Sequence, residues 1–142
     1  MSAPGATRRP FGYLRDPLFI SCVATYALNR FVLRPLFPPD RVPFLHEHFN
    51  DLICIPFWLP GVLLIYRKLG LRKHDLPPTC GEILAHLVIW SIWFEVLGPR
   101  IPPFRGHTVA DPWDVAYYSV GALGAAIVWN WRTLRDWRRL LA

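Results

Sequence analysis

Histidine and carboxylate side chains gather in two polar stretches of this 142-residue chain, each of which precedes an apolar block. The first stretch, FLHEHFND, spans residues 44–51, and the second spans residues 98–114. Imidazole and carboxylate ligands that leave one coordination position open are typical of catalytic zinc, and mixed nitrogen and oxygen ligands also suit manganese or iron. The residues that we predict as ligands of a divalent metal are His46, His48, Asp51, His107 and Asp111.

Acid–base chemistry is expected from three side chains, namely Glu95, Asp114 and His48. Glu95 lies near the C-terminus of an apolar block, where the helix dipole disfavours a negative charge. It therefore needs a positively charged partner. The candidates for this partner are Arg30, Arg100 and Arg105.

Arginine side chains flank the same polar stretches. A guanidinium group forms forked hydrogen bonds with phosphate or carboxylate, so these arginines are candidates for holding an anionic substrate. The predicted substrate-binding residues are Arg30, Arg34, Arg100 and Arg105.

Some of the acidic candidates have a simpler interpretation as helix caps. Asp111 and Asp114 suit the cap and first turn of one helix, and Asn50 or Asp51 suits the cap of another.

Four apolar blocks must position these side chains. Hydrophobic residues make up 53% of the chain, charged residues only 18%, and the mean hydropathy is +0.24. A helix that crosses a bilayer needs about 20 apolar residues, so the blocks predict spans at about 17–37, 51–67, 81–98 and 112–131. The alternative, a soluble bundle that buries the two shorter blocks, is disfavoured because too little chain remains to cover four of them.

We therefore predict an all-α integral membrane protein with a four-transmembrane-helix bundle. Residues 1–15 form a flexible basic cytoplasmic tail in this prediction, and residues 16–142 form one domain. Most of the 16 Lys and Arg residues lie before the first block, between the second and third, or after the fourth. Because Lys and Arg stay on the cytoplasmic side, both termini are predicted to be cytoplasmic in a multi-pass protein of a bacterial inner membrane.

Helix-start signals support these boundaries. Asp16 and Asp111 each precede a proline, which places an N-cap acceptor before a proline at the first helical position. Thr79 and Glu82 have the spacing of a capping box. In the last block, the Gly121–Ala125 spacing lets helices approach closely, either within the bundle or in a homodimer.

Other side chains within the blocks have less specific interpretations. His86 is the only histidine within a predicted span, so one chain cannot supply both axial histidine ligands of a haem, and haem is not the expected cofactor. Tyr117 and Tyr118 are most simply packing or lipid-facing residues. The positive net charge of +6 follows from the membrane topology, and no nucleic-acid-binding motif accompanies it.

The segment from Glu95 to Gly124 resembles the VanZ-like family of small bacterial membrane proteins. In that family a glutamate is followed by a basic residue in a loop and then by Asp-x-x-x-Asn-x-x-Gly at the start of the last span. Glu95 takes the glutamate position here, and Arg105 or Arg100 takes the basic one. Asp114 and Gly121 match the last motif in spacing. Tyr118 replaces the family's Asn, and Gly98 stands near a position where glutamine is common.

The resemblance implies a cell-envelope context and leaves open whether the protein is an enzyme. The first functional hypothesis is a site at the outer ends of the helices that binds or acts on a cell-envelope or lipid-linked anionic substrate. The second is a non-enzymatic subunit or assembly factor of a larger membrane complex. The third is a metal-dependent membrane hydrolase. The expected partners are the lipid bilayer and a membrane protein or second copy bound through Gly121 and Ala125, but no nucleic acid.

Overall fold

The computed structural model describes residues 10–102 and 111–140, with side chains up to residue 131, and is helical without a strand in these ranges. Four helices dominate: α1 at Pro17–Leu28, α2 at Phe49–Lys68, α3 at Cys80–Ser91 and α4 at Pro112–Leu140. A π-helical segment and one short α-helical turn extend α1 to Leu36. Similarly, a π-helical segment, Ile92–Leu97, and a 3-10 turn extend α3 to Arg100. Each predicted span thus contains a helix.

Two helical segments of the described chain are long and apolar enough to cross a membrane. They are Pro43–Lys68, which combines α2 with the short helix Pro43–Glu47, and Cys80–Arg100. A core helix of a soluble protein would be mostly buried, whereas only 11% of the most apolar window of the second segment is buried within the molecule. Its outward side chains include Leu84 and Ile89. These helices favour association with a membrane.

The cap residues fix where three helices begin. Asp16 accepts hydrogen bonds from the backbone amides of Leu18 and Phe19, and Asp111 accepts one from the amide of Trp113. Thr79 and Glu82 form both hydrogen bonds of a capping box. These three predictions are confirmed. The suggestion that Asn50 or Asp51 caps α2 is wrong, because α2 begins at Phe49 and both side chains lie inside its first turn.

Helix α2 forms the centre of the molecule and packs closely on α4. Its residues Ile55, Leu59 and Leu63 are almost completely buried and face the small residues of α4. A Cβ atom at Gly121 would collide with the carbonyl group of Leu52, so only glycine permits this approach. The small-residue spacing therefore serves helix packing within the chain, and Gly121 itself is covered by α2.

The helices alternate in direction. Helices α2 and α4 run parallel, because the His48–Asp114 contact joins their starts. Helix α1 runs the other way, since its cap Asp16 accepts a hydrogen bond from Trp129, which lies 17 residues beyond the start of α4. We call the end that contains His48 the site end. The opposite end, the basic end, contains residues 10–16 and the loop at 69–79, together with the last residues of α2.

A buried arginine holds the basic end together. Arg72 is 4% exposed and donates hydrogen bonds to both carboxylate oxygens of Glu82, at 2.7 and 3.1 Å, and to the Tyr13 hydroxyl at 2.9 Å. The Tyr13 hydroxyl in turn donates to Asp75 at 2.8 Å, and Arg67 donates to the same carboxylate at 2.9 Å. These contacts tie the chain before α1 to the loop between α2 and α3.

Candidate functional site

Three side chains from two distant parts of the chain converge at the site end. His48, Asp51 and Asp114 each offer a ligand atom that lies within 4.8 Å of the ligand atoms of the other two. Nδ1 of His48 lies 3.3 Å from Oδ1 of Asp114. Asp51 lies in the first turn of α2 and Asp114 in the first turn of α4. The His48–Asp114 contact brings the starts of these two parallel helices together.

The helix ends make this concentration of carboxylates tolerable. Each helix carries a partial positive charge at its N-terminus, which favours Asp51 and Asp114 in the first turns. The two carboxylates still repel each other at this separation, and a bound cation or a positively charged His48 would offset the repulsion. The site is therefore suited electrostatically to a positive charge.

Aromatic and acidic neighbours fix the orientation of His48. The ring of Tyr117 stacks on the imidazole with centroids 4.6 Å apart and planes inclined by 18°. Phe44 supports Tyr117 from a distance of 5.7 Å between ring centroids. Nε2 of His48 lies 3.9 Å from the exposed carboxylate of Glu47. Sequence reasoning assigned Tyr117 to packing or to contact with lipid, although its position three residues after Asp114 already indicates a shared helix face.

Glu95 belongs to the same site end and is held by a backbone amide rather than by Arg30 or Arg100; the third predicted partner, Arg105, lies outside the described residues. Its Oε2 atom accepts a hydrogen bond of 2.7 Å from the backbone amide of Asp111, just before α4. In the described ranges, 10–102 and 111–131, no arginine forms an ion pair with it. The amide group at the start of α4 supplies the favourable electrostatic environment that was expected from an arginine.

A cavity of about 560 Å³ adjoins the two aspartates and Glu95, whereas His48 is not part of its lining. Asp51, Asp114 and Glu95 contribute its carboxylates, and no basic residue of the described part of the chain lines it. Tyr118 is 4% exposed, lines the cavity and interacts with Asp51 through its hydroxyl group. The remaining lining residues are Tyr26, Asn50, Ile53, Cys54, Phe57, Trp58 and Phe94.

Other predicted site residues lie apart from this cavity. Nε2 of His46 is 2.7 Å from the carbonyl of Phe37, and Arg34 donates hydrogen bonds to the carbonyls of Leu45 and His46, so both side chains hold the loop before α2. Asp111 uses its side chain as the cap of α4. Arg30 and Arg100, which were predicted to bind substrate, are exposed and do not line the cavity. Arg105 and His107, two further predicted site residues, lie outside the described residues.

In the described ranges, the fold and the site define a helical protein with two helices apolar enough to cross a membrane and a histidine–carboxylate cluster beside an acidic cavity at one end. No family model, curated protein or solved structure matches the chain.

Proposed function

We propose that the protein is a four-span protein of a bacterial cytoplasmic membrane that binds a divalent metal ion through His48, Asp51 and Asp114. In this proposal the metal ion holds an anionic group of a cell-envelope or lipid-linked substrate. Both termini and the basic end face the cytoplasm, so the cavity lies on the outer side. The observation that carries the proposal is the convergence of one imidazole and two carboxylates, both of which line a cavity.

The separations support metal binding. Two ligands that lie 2.0–2.1 Å from a tetrahedral zinc ion are about 3.4 Å apart, and Nδ1 of His48 lies 3.3 Å from Oδ1 of Asp114. A histidine that binds metal through one ring nitrogen commonly turns the other towards a carboxylate, and Glu47 stands on that side of His48. Three protein ligands leave a coordination position for a water molecule or a substrate oxygen.

The charge of the cavity explains why a cation is needed for an anionic substrate. Carboxylates line the described part of the cavity, so a phosphate or carboxylate group would be repelled without an intervening positive charge. A metal ion in this position would bridge the protein carboxylates and the substrate. It would also activate a bound water molecule, which is the chemistry of a metal-dependent hydrolase. Resemblance to the VanZ-like family over residues 95–124 is consistent with an envelope role and stays a prediction.

The experiment is metal analysis of the detergent-purified protein after exposure to zinc, manganese or iron and removal of free ions. Wild type should retain stoichiometric metal, and His48→Ala and Asp114→Asn should each lose it. His46→Ala is the matched control, because His46 lies two residues away and outside the site. Wild type without metal would contradict the proposal, and so would equal metal content in His46→Ala and His48→Ala. Stable co-purification of wild type without metal but with another membrane protein would instead favour the subunit role.

A further inference from the structure

The cavity is much larger than a metal ion requires. A water molecule occupies about 30 Å³ of liquid volume, so an ion with a few waters would fill only a small part of the 560 Å³. Cavities of roughly 300–1,000 Å³ typically bind organic molecules of drug size. The space beyond the three ligand residues is therefore large enough for an organic group.

One face of α2 changes from polar to aromatic along the cavity. Asn50 and Asp51 lie at the start of the helix, and Phe57 and Trp58 line the same cavity two turns further along. Seven residues of α-helix correspond to a distance of about 10 Å. A ligand that fills this space consequently meets carboxylates at one end and aromatic rings at the other.

The aromatic part of the cavity opens to the side of the molecule. Trp58 lines the cavity and is nevertheless 54% exposed, and Tyr26 on α1 is 37% exposed. The rings of Tyr26 and Trp58 both lie against Phe57, with centroids 5.5 and 5.3 Å from it. In a membrane this exposed aromatic surface would face lipid chains, whereas the carboxylates lie towards the helix ends.

We infer that the organic ligand of this site is a membrane lipid with a phosphate headgroup. The phosphate lies at the cation held by His48, Asp51 and Asp114, and the acyl or prenyl chain lies against Phe57 and Trp58. This inference rests on the proposed metal site, because the carboxylates would repel a phosphate without the cation. A soluble phosphate would leave the aromatic part of the cavity unfilled, and that difference makes the inference testable.

The test compares two probes with the same headgroup in titrations of detergent-purified protein with manganese. The lipid probe is dioctanoyl phosphatidic acid, and the headgroup probe is glycerol 3-phosphate. Manganese-loaded wild type should bind the lipid at least about tenfold more tightly, and Trp58→Ala should lose about that factor for the lipid, as expected for truncation of an aromatic contact. Trp131→Ala is the matched control, since Trp131 is 57% exposed and does not line the cavity.

The outcomes separate this inference from the proposed function. Failure of wild type to bind manganese, zinc or iron would overturn the metal site and the inference with it; if only zinc or iron binds, the titrations use that ion. Normal manganese binding with equal affinity for both probes would overturn only the lipid inference. Lipid affinity that is unchanged without manganese and in Asp114→Asn would also overturn it, because the headgroup would then not be held at the cation. Normal manganese content in Trp58→Ala shows that its lost lipid affinity does not come from misfolding.

Discussion

The contact between Gly121 and Leu52 gives a prediction for both stability and metal binding. Gly121→Ala adds a Cβ atom that collides with the Leu52 carbonyl, so α4 must move away from α2. Gly124→Ala is the matched control, because a Cβ atom at Gly124 meets nothing within 4 Å. Both changes gain about 1 kcal/mol of helix propensity, which cancels in the comparison. Overpacking costs about 1–3 kcal/mol, so Gly121→Ala should be less stable than Gly124→Ala by about that amount.

The assay is unfolding of the two variants and wild type in the same detergent, followed by the helical circular dichroism signal. Gly124→Ala should unfold at or above the wild-type temperature, and Gly121→Ala several degrees below Gly124→Ala. Metal affinity should fall in Gly121→Ala alone, since Asp51 and Asp114 lie on the two helices that separate. Equal unfolding temperatures for the two alanine variants would refute the close contact between α2 and α4. Reduced stability with unchanged metal affinity would refute its role in aligning the site.

Three further predictions concern the other end of the molecule. Thr79→Ala removes the capping-box acceptor and should destabilise the protein by about 1 kcal/mol in detergent unfolding, whereas Thr79→Ser should not. An equal loss of stability in both variants would contradict the capping role. Arg72→Met leaves the Glu82 carboxylate without its buried partner and should lower the free energy of unfolding by about 3–5 kcal/mol. The double variant Arg72→Met/Glu82→Gln should recover part of this stability, and no recovery would argue against the ion pair. Hydrogen bonds from Arg67 and Tyr13 lower the pKa of Asp75 from its ordinary value, so the ionised Asp75 carboxylate stabilises the folded protein. This stabilisation is present above about pH 4 and is lost as the pH falls through the lowered pKa. Unfolding measured against pH should therefore show a smaller acid-induced loss in Asp75→Asn than in wild type, and identical profiles would contradict it.

Sequence patterns were sufficient to predict the helices because the signals are local. Apolar blocks gave their approximate positions, and the cap residues Asp16, Thr79 and Asp111 gave three of the four starts to within a residue. The π-helical segment that contains Glu95 was not predicted, since ideal helical spacing was assumed throughout the block. Helix α4 continues to Leu140, beyond the predicted span that ends at about residue 131, because apolarity ends before the helix does.

The site was predicted only in part because it depends on contacts between distant residues. His48, Asp51 and Asp114 were all candidates, but Asp114 was assigned to acid–base chemistry rather than to the metal set. Its pairing with His48 spans 66 residues and depends on the parallel packing of α2 and α4. His46 and His48 could not be separated from sequence either. They lie on the two sides of a helix boundary, the first inside Pro43–Glu47 and the second just after it.

The parallel arrangement of α2 and α4 relates the fold directly to the chemistry of the site. Two parallel helices bring two N-termini to the same end, and each N-terminus favours an anionic side chain in its first turn. The backbone thus stabilises Asp51 and Asp114 individually, while their proximity creates a demand for positive charge that one imidazole meets only when protonated. Antiparallel packing of the same helices would place the carboxylates at opposite ends of the molecule. Gly121 allows the parallel pair to approach closely, so the same glycine that stabilises the bundle also brings the two carboxylates together.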